Sequence, residues 1–166
     1  LVSAYAVWER PCSKERPIYA DASAHRLISD ISGIVTSRDG HRLIVAGDFN
    51  ILHGHGEHGS EYWRERYASV FSRFDALGLK FIGPQVPSGG RQANPWPAEL
   101  PRDSKNVPTF HSSKQPPSTA TRQLDFVFAS RSIADRILVR AMNAVDDWGP
   151  SDHCRIEIVI DANGAG

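Results

Sequence analysis

Three short stretches of this chain join an apolar run to polar groups that can act together: Leu43-Ile44-Val45-Ala46-Gly47-Asp48-Phe49-Asn50, Gln123-Leu124-Asp125-Phe126-Val127-Phe128 and Ser151-Asp152-His153. A short, nearly continuous apolar run reads as a buried strand, and a strand delivers the side chains near its end to the edge of a sheet. A carboxylate inside such a run is costly unless it is paired, and His153 is the natural partner for Asp125. Ensembles of this kind suit phosphate-ester hydrolysis. That chemistry uses one carboxylate for a hard divalent cation, another to orient or deprotonate water, and an imidazole against phosphoryl charge.

The rest of the chain supplies a scaffold for these strand ends. Residues 1–7 are rich in strand formers and lead into a Glu9-Arg10-Pro11 loop. Leu27, Ile28, Ile31, Ile34 and Val35 recur at helical spacing and predict a helix over 23–36. Asp39-Gly40 is a turn signal, and the strand over 42–47 leaves Asp48 and Asn50 at its carboxyl end. A second helix follows Ser60 as N-cap, with Trp63, Tyr67, Val70, Phe71, Phe74 and Leu77 on one face and Gly78 as its stop. Strands are expected over 79–82, 109–111, 124–129, 137–142 and 155–160, with a helical turn over 132–136 and a polar loop over 114–122. The Pro- and Gly-rich stretch 83–108 is too long for an ordinary connection, so it reads as a functional lid or a mobile surface loop. The result is an α/β domain over 1–160, a mixed β-sheet with helices on one face, and a flexible tail over 161–166. That arrangement leaves the second sheet face bare, to be covered by a second sheet from a missing partner or by a homodimer mate.

Composition narrows the function classes. With 166 residues the chain is long enough to bury a core. Its formal net charge is zero, so no broad field draws it onto nucleic acid and any such affinity would come from local contacts. No apolar stretch reaches the length of a membrane span and no export signal opens the chain, which points to a cytoplasmic protein. Cys12 and Cys154 are too few for a disulfide framework or a thiolate zinc site, and Cys154 reads as a reduced, packed thiol. The chain opens at Leu1 inside an expected strand with no initiator Met, and so reads as part of something longer.

Taken in their order and separation, Gly47-Asp48-Phe49-Asn50, Leu124-Asp125-Phe126-Val127 and Ser151-Asp152-His153 resemble the C-terminal half of the endonuclease/exonuclease/phosphatase family, the divalent-metal phosphoesterases related to exonuclease III and DNase I. The resemblance runs from Tyr5 to Ile160. It implies one half of the four-layer α/β/β/α sandwich of the DNase I-like fold, with Mg2+ or Mn2+ as cofactor. It also implies roles: Tyr5 against the scissile phosphate, Asp48 orienting or activating water, Asn50 holding phosphate and water in line. Asp125 would accept a hydrogen bond from a catalytic His153, and Asp152 with Asp48 would ligate the metal. A complete member carries a metal-binding Asn and Glu in its N-terminal half, and no upstream segment here supplies them. The implied protein is therefore a metal-dependent phosphoesterase present as an incomplete half, acting on a phosphate ester, with nucleic acid among the candidate substrates. The alternative is a non-catalytic binding or assembly module that keeps the fold without a finished metal site.

Three further features carry expectations of their own. His53, His55 and His58 with Glu57 lie in a glycine-rich loop that could gather zinc or nickel, but its flexibility favours an exposed, substrate-facing loop. Arg91, Arg102, Lys105, Lys114, Arg122 and Arg131 lie in or beside the long loops, where they either guide a phosphate-bearing substrate or stay solvated. Trp96 and Trp148 either stack on a substrate ring or anchor their loops. Trp148, just before Ser151-Asp152-His153, is the better placed for stacking.

Overall fold

Alternating short strands and two long amphipathic helices assemble as the apolar spacing requires, in a computed structural model that describes residues 1–7, 19–35 and 40–161. Cys12, the Glu9-Arg10-Pro11 loop, the Thr36 end of the first expected helix, Asp39 of the expected turn and the tail over 162–166 lie outside the described residues. The elements are β1 (Val2–Tyr5), α1 (Ala20–Ser32), β2 (Ile44–Asp48), α2 (Glu61–Ala76), β3 (Leu79–Gly83), β4 (Asp125–Ser130), α3 (Arg131–Ala134), β5 (Ile137–Met142) and β6 (Arg155–Ile160). Four strands form a mixed sheet in the order β1-β2-β4-β3, with β1 parallel to β2 and the other pairs antiparallel. No helix among the described residues is long and apolar enough to cross a membrane.

One face of this sheet carries α1 and α2. Ala24, Ile28 and Ile31 of α1 and Tyr67, Val70 and Phe74 of α2 pack with Ala4, Val45, Phe126 and Phe128 from the strands. The aromatic rings interlock. Phe74 stacks on Phe128 at 4.0 Å between centroids, and Phe49 meets both edge-on at 5.7 and 5.4 Å, geometries that add to plain area burial. Phe49 is the residue just after Asp48, so the strand end that carries the carboxylate is nailed into the core. The two helices are joined by Arg66, which pairs with the buried Asp21 at 2.7 Å and lies over the ring of Tyr19.

The opposite sheet face is not bare, as the sequence suggested. β5 and β6 do not extend the mixed sheet; they form a separate antiparallel pair. Their inward residues Ile137, Val139, Ile156 and Ile158 pack against Ile44, Ala46, Val127 and Ala129. Period-two alternation marks a strand with one apolar side, but it does not say which sheet that side belongs to.

Other expectations shift for local reasons. Helix α1 begins at Ala20, ahead of its expected start, and closes at Ser32. Ser29 and Ser32 return their hydroxyls to the carbonyls of His25 and Ser29 at 3.0 and 2.6 Å, and the β-branched pair Ile34-Val35 falls beyond the end, with Ile34 exposed. The stretch 83–108 is tied to the body at several points. The buried Asn143 donates to the carbonyls of Arg91 and Pro108 and accepts from the Arg91 amide, each at 2.9 Å, while Gln123 donates to Pro84.

Gly47 fixes how closely β1 can approach β2. It lies at φ +152, and a Cβ there would fall 1.9 Å from the Ala4 carbonyl oxygen. Gly47→Ala is therefore expected to lower unfolding stability by about 2 kcal/mol or more, from steric overlap and backbone strain together. Urea denaturation measures this, and an unchanged midpoint would contradict the packing described.

Candidate active site

The sheet register sets the site before any loop contributes. Tyr5, Asp48 and Asp125 are lateral partners across β1, β2 and β4, so their side chains emerge in a row on the face away from α1 and α2. Two carboxylates directly opposite one another repel. Burial, reinforced by the neighbouring Asp125, pushes the Asp48 carboxyl up to about 6, although His153 and two hydrogen bonds from Asn50 pull the other way. Those bonds run from the Asn50 amide to Oδ1 at 2.9 Å and from Nδ2 to Oδ2 at 2.7 Å. The same Nδ2 donates to the Ala6 carbonyl at 2.9 Å, tying Asn50 to the end of β1. Asn50 sits at φ 49, a left-handed conformation that asparagine tolerates better than most residues.

His153 arrives from the segment just before β6. Its Nδ1 lies 2.8 Å from Asp125 Oδ2 and its Nε2 3.8 Å from Asp48 Oδ2. Because an ionised carboxylate only accepts, Nδ1 carries the proton and the ring is oriented by Asp125. Burial by itself would lower the imidazole pKa, but the hydrogen bond to Asp125 and the charges of Asp125, Asp48 and Asp152 outweigh it, and the net shift is upward.

These groups line an open cleft of about 620 Å3 that takes in every residue singled out from the strand ends: Tyr5, Asp48, Asn50, Asp125, Asp152 and His153. Tyr5 stands at its lip, 72% exposed. Two further residues line it, Phe110 and Ser151. The Phe110 ring lies 5.1 Å from that of His153, and Ser151 Oγ accepts the His153 amide at 3.1 Å. Sequence marked 109–111 as a brief strand but carried no signal that it would lie beside His153.

Asp48, Asp125 and His153 offer ligand atoms within 4.8 Å of one another. Asp125 gives Oδ2 to His153, both Asp48 oxygens accept from Asn50, and the half-buried Asp152 lines the same cleft. The carboxylates and imidazole gathered here are groups that can ligate a divalent metal.

Several expected contributors lie elsewhere. Trp148 is 2% exposed and packs with Val107, Ala141 and Cys154, so it anchors its loop and presents no face for stacking. Trp96 likewise donates to the Leu100 carbonyl at 3.0 Å. Arg122 pairs with Glu57 at 2.7 Å and does not line the cleft; Arg91 is held by the carbonyls of Asn143 and Pro117, and Arg131 by Asp75. The histidine loop is packed at His53 and His55, while His58 is exposed. His53 lies 4.7 Å from the Phe71 ring and 4.8 Å from that of Phe81, with Nδ1 against Asn106, and burial lowers the pKa of both His53 and His55. Gly56 serves close approach there, since a Cβ would fall 2.0 Å from the Ser60 carbonyl oxygen. Among the described residues the three imidazoles form no ligand cluster. Cys154 is a buried free thiol, its pKa pushed up to about 12 chiefly by burial.

No protein-family model matches the sequence, and no curated protein does. Among solved structures the chain is similar to a 3'-5' exonuclease (NExo) from Neisseria meningitidis, at 18% identity and a TM-score of 0.59, over 96% of this chain and 60% of that one. The likeness is one of fold, and this chain spans about 60% of the exonuclease's length.

The raised Asp48 pKa makes ionised Asp48 a liability in the metal-free fold. The cost is absent below about pH 4, grows as the pH rises towards 6 and is complete above it. Metal-free Asp48→Asn is therefore expected to match the parent in thermal stability at pH 4 and to exceed it by about 1–2 kcal/mol at pH 7.5. Paired melting curves at the two pH values check this; a variant less stable than the parent at pH 7.5 would refute the charge arrangement.

Proposed function

We propose that this chain is a divalent-metal-dependent phosphoesterase that hydrolyses phosphodiesters, nucleic acid among them, and that its fold is one half of the DNase I-like α/β/β/α sandwich. The observation that carries the reading is the Asp48–Asp125 cross-strand pair with His153 hydrogen-bonded to the second carboxylate. The likeness in fold to an exonuclease supports it.

Each residue has work suited to its surroundings. Asp48, with its pKa drawn up to about 6, is poised to orient or deprotonate water near neutral pH. Asn50 donates Nδ2 to Ala6 and Asp48, leaving Oδ1 to accept from water, and would hold the phosphate in line on releasing one of those two bonds. Asp125 keeps the His153 imidazole charged and aimed, so that Nε2–H meets the negative charge that develops on a phosphoryl oxygen. Tyr5, at the lip, reaches the scissile phosphate. Asp48 and Asp152 would hold Mg2+ or Mn2+, which when bound neutralises phosphoryl charge.

Two carboxylates make a weak magnesium site, since the ion asks for several well-placed oxygens. We therefore propose that this chain turns over slowly by itself and that further ligands come from another polypeptide segment, either an N-terminal half or a second copy. The same shortage of oxygens favours the second reading, a binding or assembly module with the fold but no turnover.

Assays on a chromogenic phosphodiester and on DNA, with Mg2+ or Mn2+, separate the two. The phosphoesterase reading expects a low, EDTA-sensitive rate that His153→Ala or Asp125→Asn lowers by about 10²–10⁴-fold. Metal-dependent turnover absent from every substrate favours the module, and turnover unchanged in His153→Ala overturns the assigned site.

The pH profile gives an independent check. The active form needs Asp48 ionised and His153 protonated, so the rate should rise as pH climbs through about 6 and fall above the elevated pKa of His153. Raising the Mg2+ concentration should move the acid limb to lower pH, because a cation favours the carboxylate. A rate that fell as pH rose through 6 would contradict the assignment.

A further inference from the structure

Asp125 and His153 touch although their strands are not paired. Both are hung from the same short stretch, 109–111. On one side Thr109 N and Phe110 N donate to the Arg122 carbonyl at 2.8 and 3.1 Å. On the other, His111 N donates to the Asp152 carbonyl and Cys154 N to the Thr109 carbonyl, both at 3.0 Å. Phe110 thereby bridges to Arg122 and to His153 at once.

Thr109 adds a side-chain contact that no neighbour supplies. It is fully buried, and its Oγ1 accepts two consecutive backbone donors, Leu124 N at 3.0 Å and Asp125 N at 3.1 Å. In a regular strand successive N–H groups point to opposite sides. One acceptor for both makes these two donors converge instead of alternate, so the hydroxyl ties down the backbone at 124–125, where the Asp125 side chain leaves the sheet. Without the hydroxyl, two buried N–H groups would lack an acceptor, and the backbone would shift to find others.

We infer that Thr109 is a positioning residue: its hydroxyl sets the backbone at the start of β4 and so places the Asp125 carboxylate that holds His153. It touches no substrate and does not line the cleft. The geometric part stands without any assigned activity, whereas the catalytic consequence rests on the phosphoesterase reading.

The test uses the full chain with Thr109→Val, which keeps the shape and removes the acceptor, and Thr109→Ser, which keeps the hydroxyl. Two signals are read: the His153 Nδ1–H proton resonance by NMR without substrate or metal, and metal-dependent hydrolysis. Thr109→Val is expected to lose or displace the resonance and to lower kcat by about tenfold or more with KM within about twofold, because small misplacements act on the chemical step. Thr109→Ser should retain the resonance and most of kcat. Ser130→Ala, at the far end of β4, controls for general loosening and should leave the resonance in place. A folded Thr109→Val with the parental resonance and kcat overturns the inference, as does a Thr109→Ser that fails as badly as Thr109→Val. If Thr109→Val does not fold, Thr109→Ser decides: a parental resonance supports the inference and a displaced one overturns it. Should the parent chain show no hydrolysis, the phosphoesterase reading falls while the resonance still judges Thr109.

Discussion

Two carboxylates are held face to face where β2 and β4 pair, and much of the molecule exists to keep them there. Left alone, Asp48 and Asp125 would repel and swing apart or take up protons. The imidazole of His153 lies within reach of both, at 2.8 Å from one and 3.8 Å from the other, and its positive charge is what makes their closeness tolerable. The repulsion is not removed, only balanced, and burial together with Asp125 holds the Asp48 carboxyl above its ordinary pKa. A partly compensated cluster of this sort is poor for stability and useful for chemistry, because added cationic charge is welcomed where it is still missing.

The scaffold around this cluster is correspondingly rigid. Phe49 is locked among Phe74, Phe126 and Phe128 immediately after Asp48, and Phe126 follows Asp125 in the same core. Each acid thus has a fully buried aromatic neighbour in sequence pointing the other way, so the alternation of the strands converts core packing into side-chain aim. Gly47 lets β1 come close enough for Tyr5 and Ala6 to join the site, and Asn50 closes the gap by bonding to both Ala6 and Asp48. On the remaining side the 109–111 stretch couples the β4 start to the His153 segment.

Features that looked functional by composition turned out to be packing. A histidine loop rich in glycine suggests mobility, yet His53 is wedged between Phe71 and Phe81 and Gly56 is present because the chain passes too near Ser60 for any side chain. Trp148 precedes the catalytic-looking tripeptide in sequence but turns inward to fill a third small core beside Cys154. Arg91, Arg122 and Arg131 satisfy carbonyls and carboxylates of their own chain. In each case residue type and neighbourhood in sequence were compatible with two environments, and only the distant partner, Phe71, Val107 or Glu57, decides between them.

Local sequence was enough to identify β2, β4 and α2, since their apolar periodicity and the Gly78 stop speak for themselves, and enough to pair Asp125 with His153, because a carboxylate inside an apolar strand is costly without a partner; Tyr5, and the roles given to Asp48, Asn50 and Asp152, entered through the family resemblance. It could not say that β5 and β6 would leave the mixed sheet and cover its second face, since alternation defines a side but not its mate. Nor could it foresee Phe110 in the cleft or Thr109 behind it. Their importance comes from hydrogen bonds to segments 12 to 45 residues away in the chain, a proximity that no property of a threonine or a phenylalanine encodes and that exists only once the backbone has closed on itself.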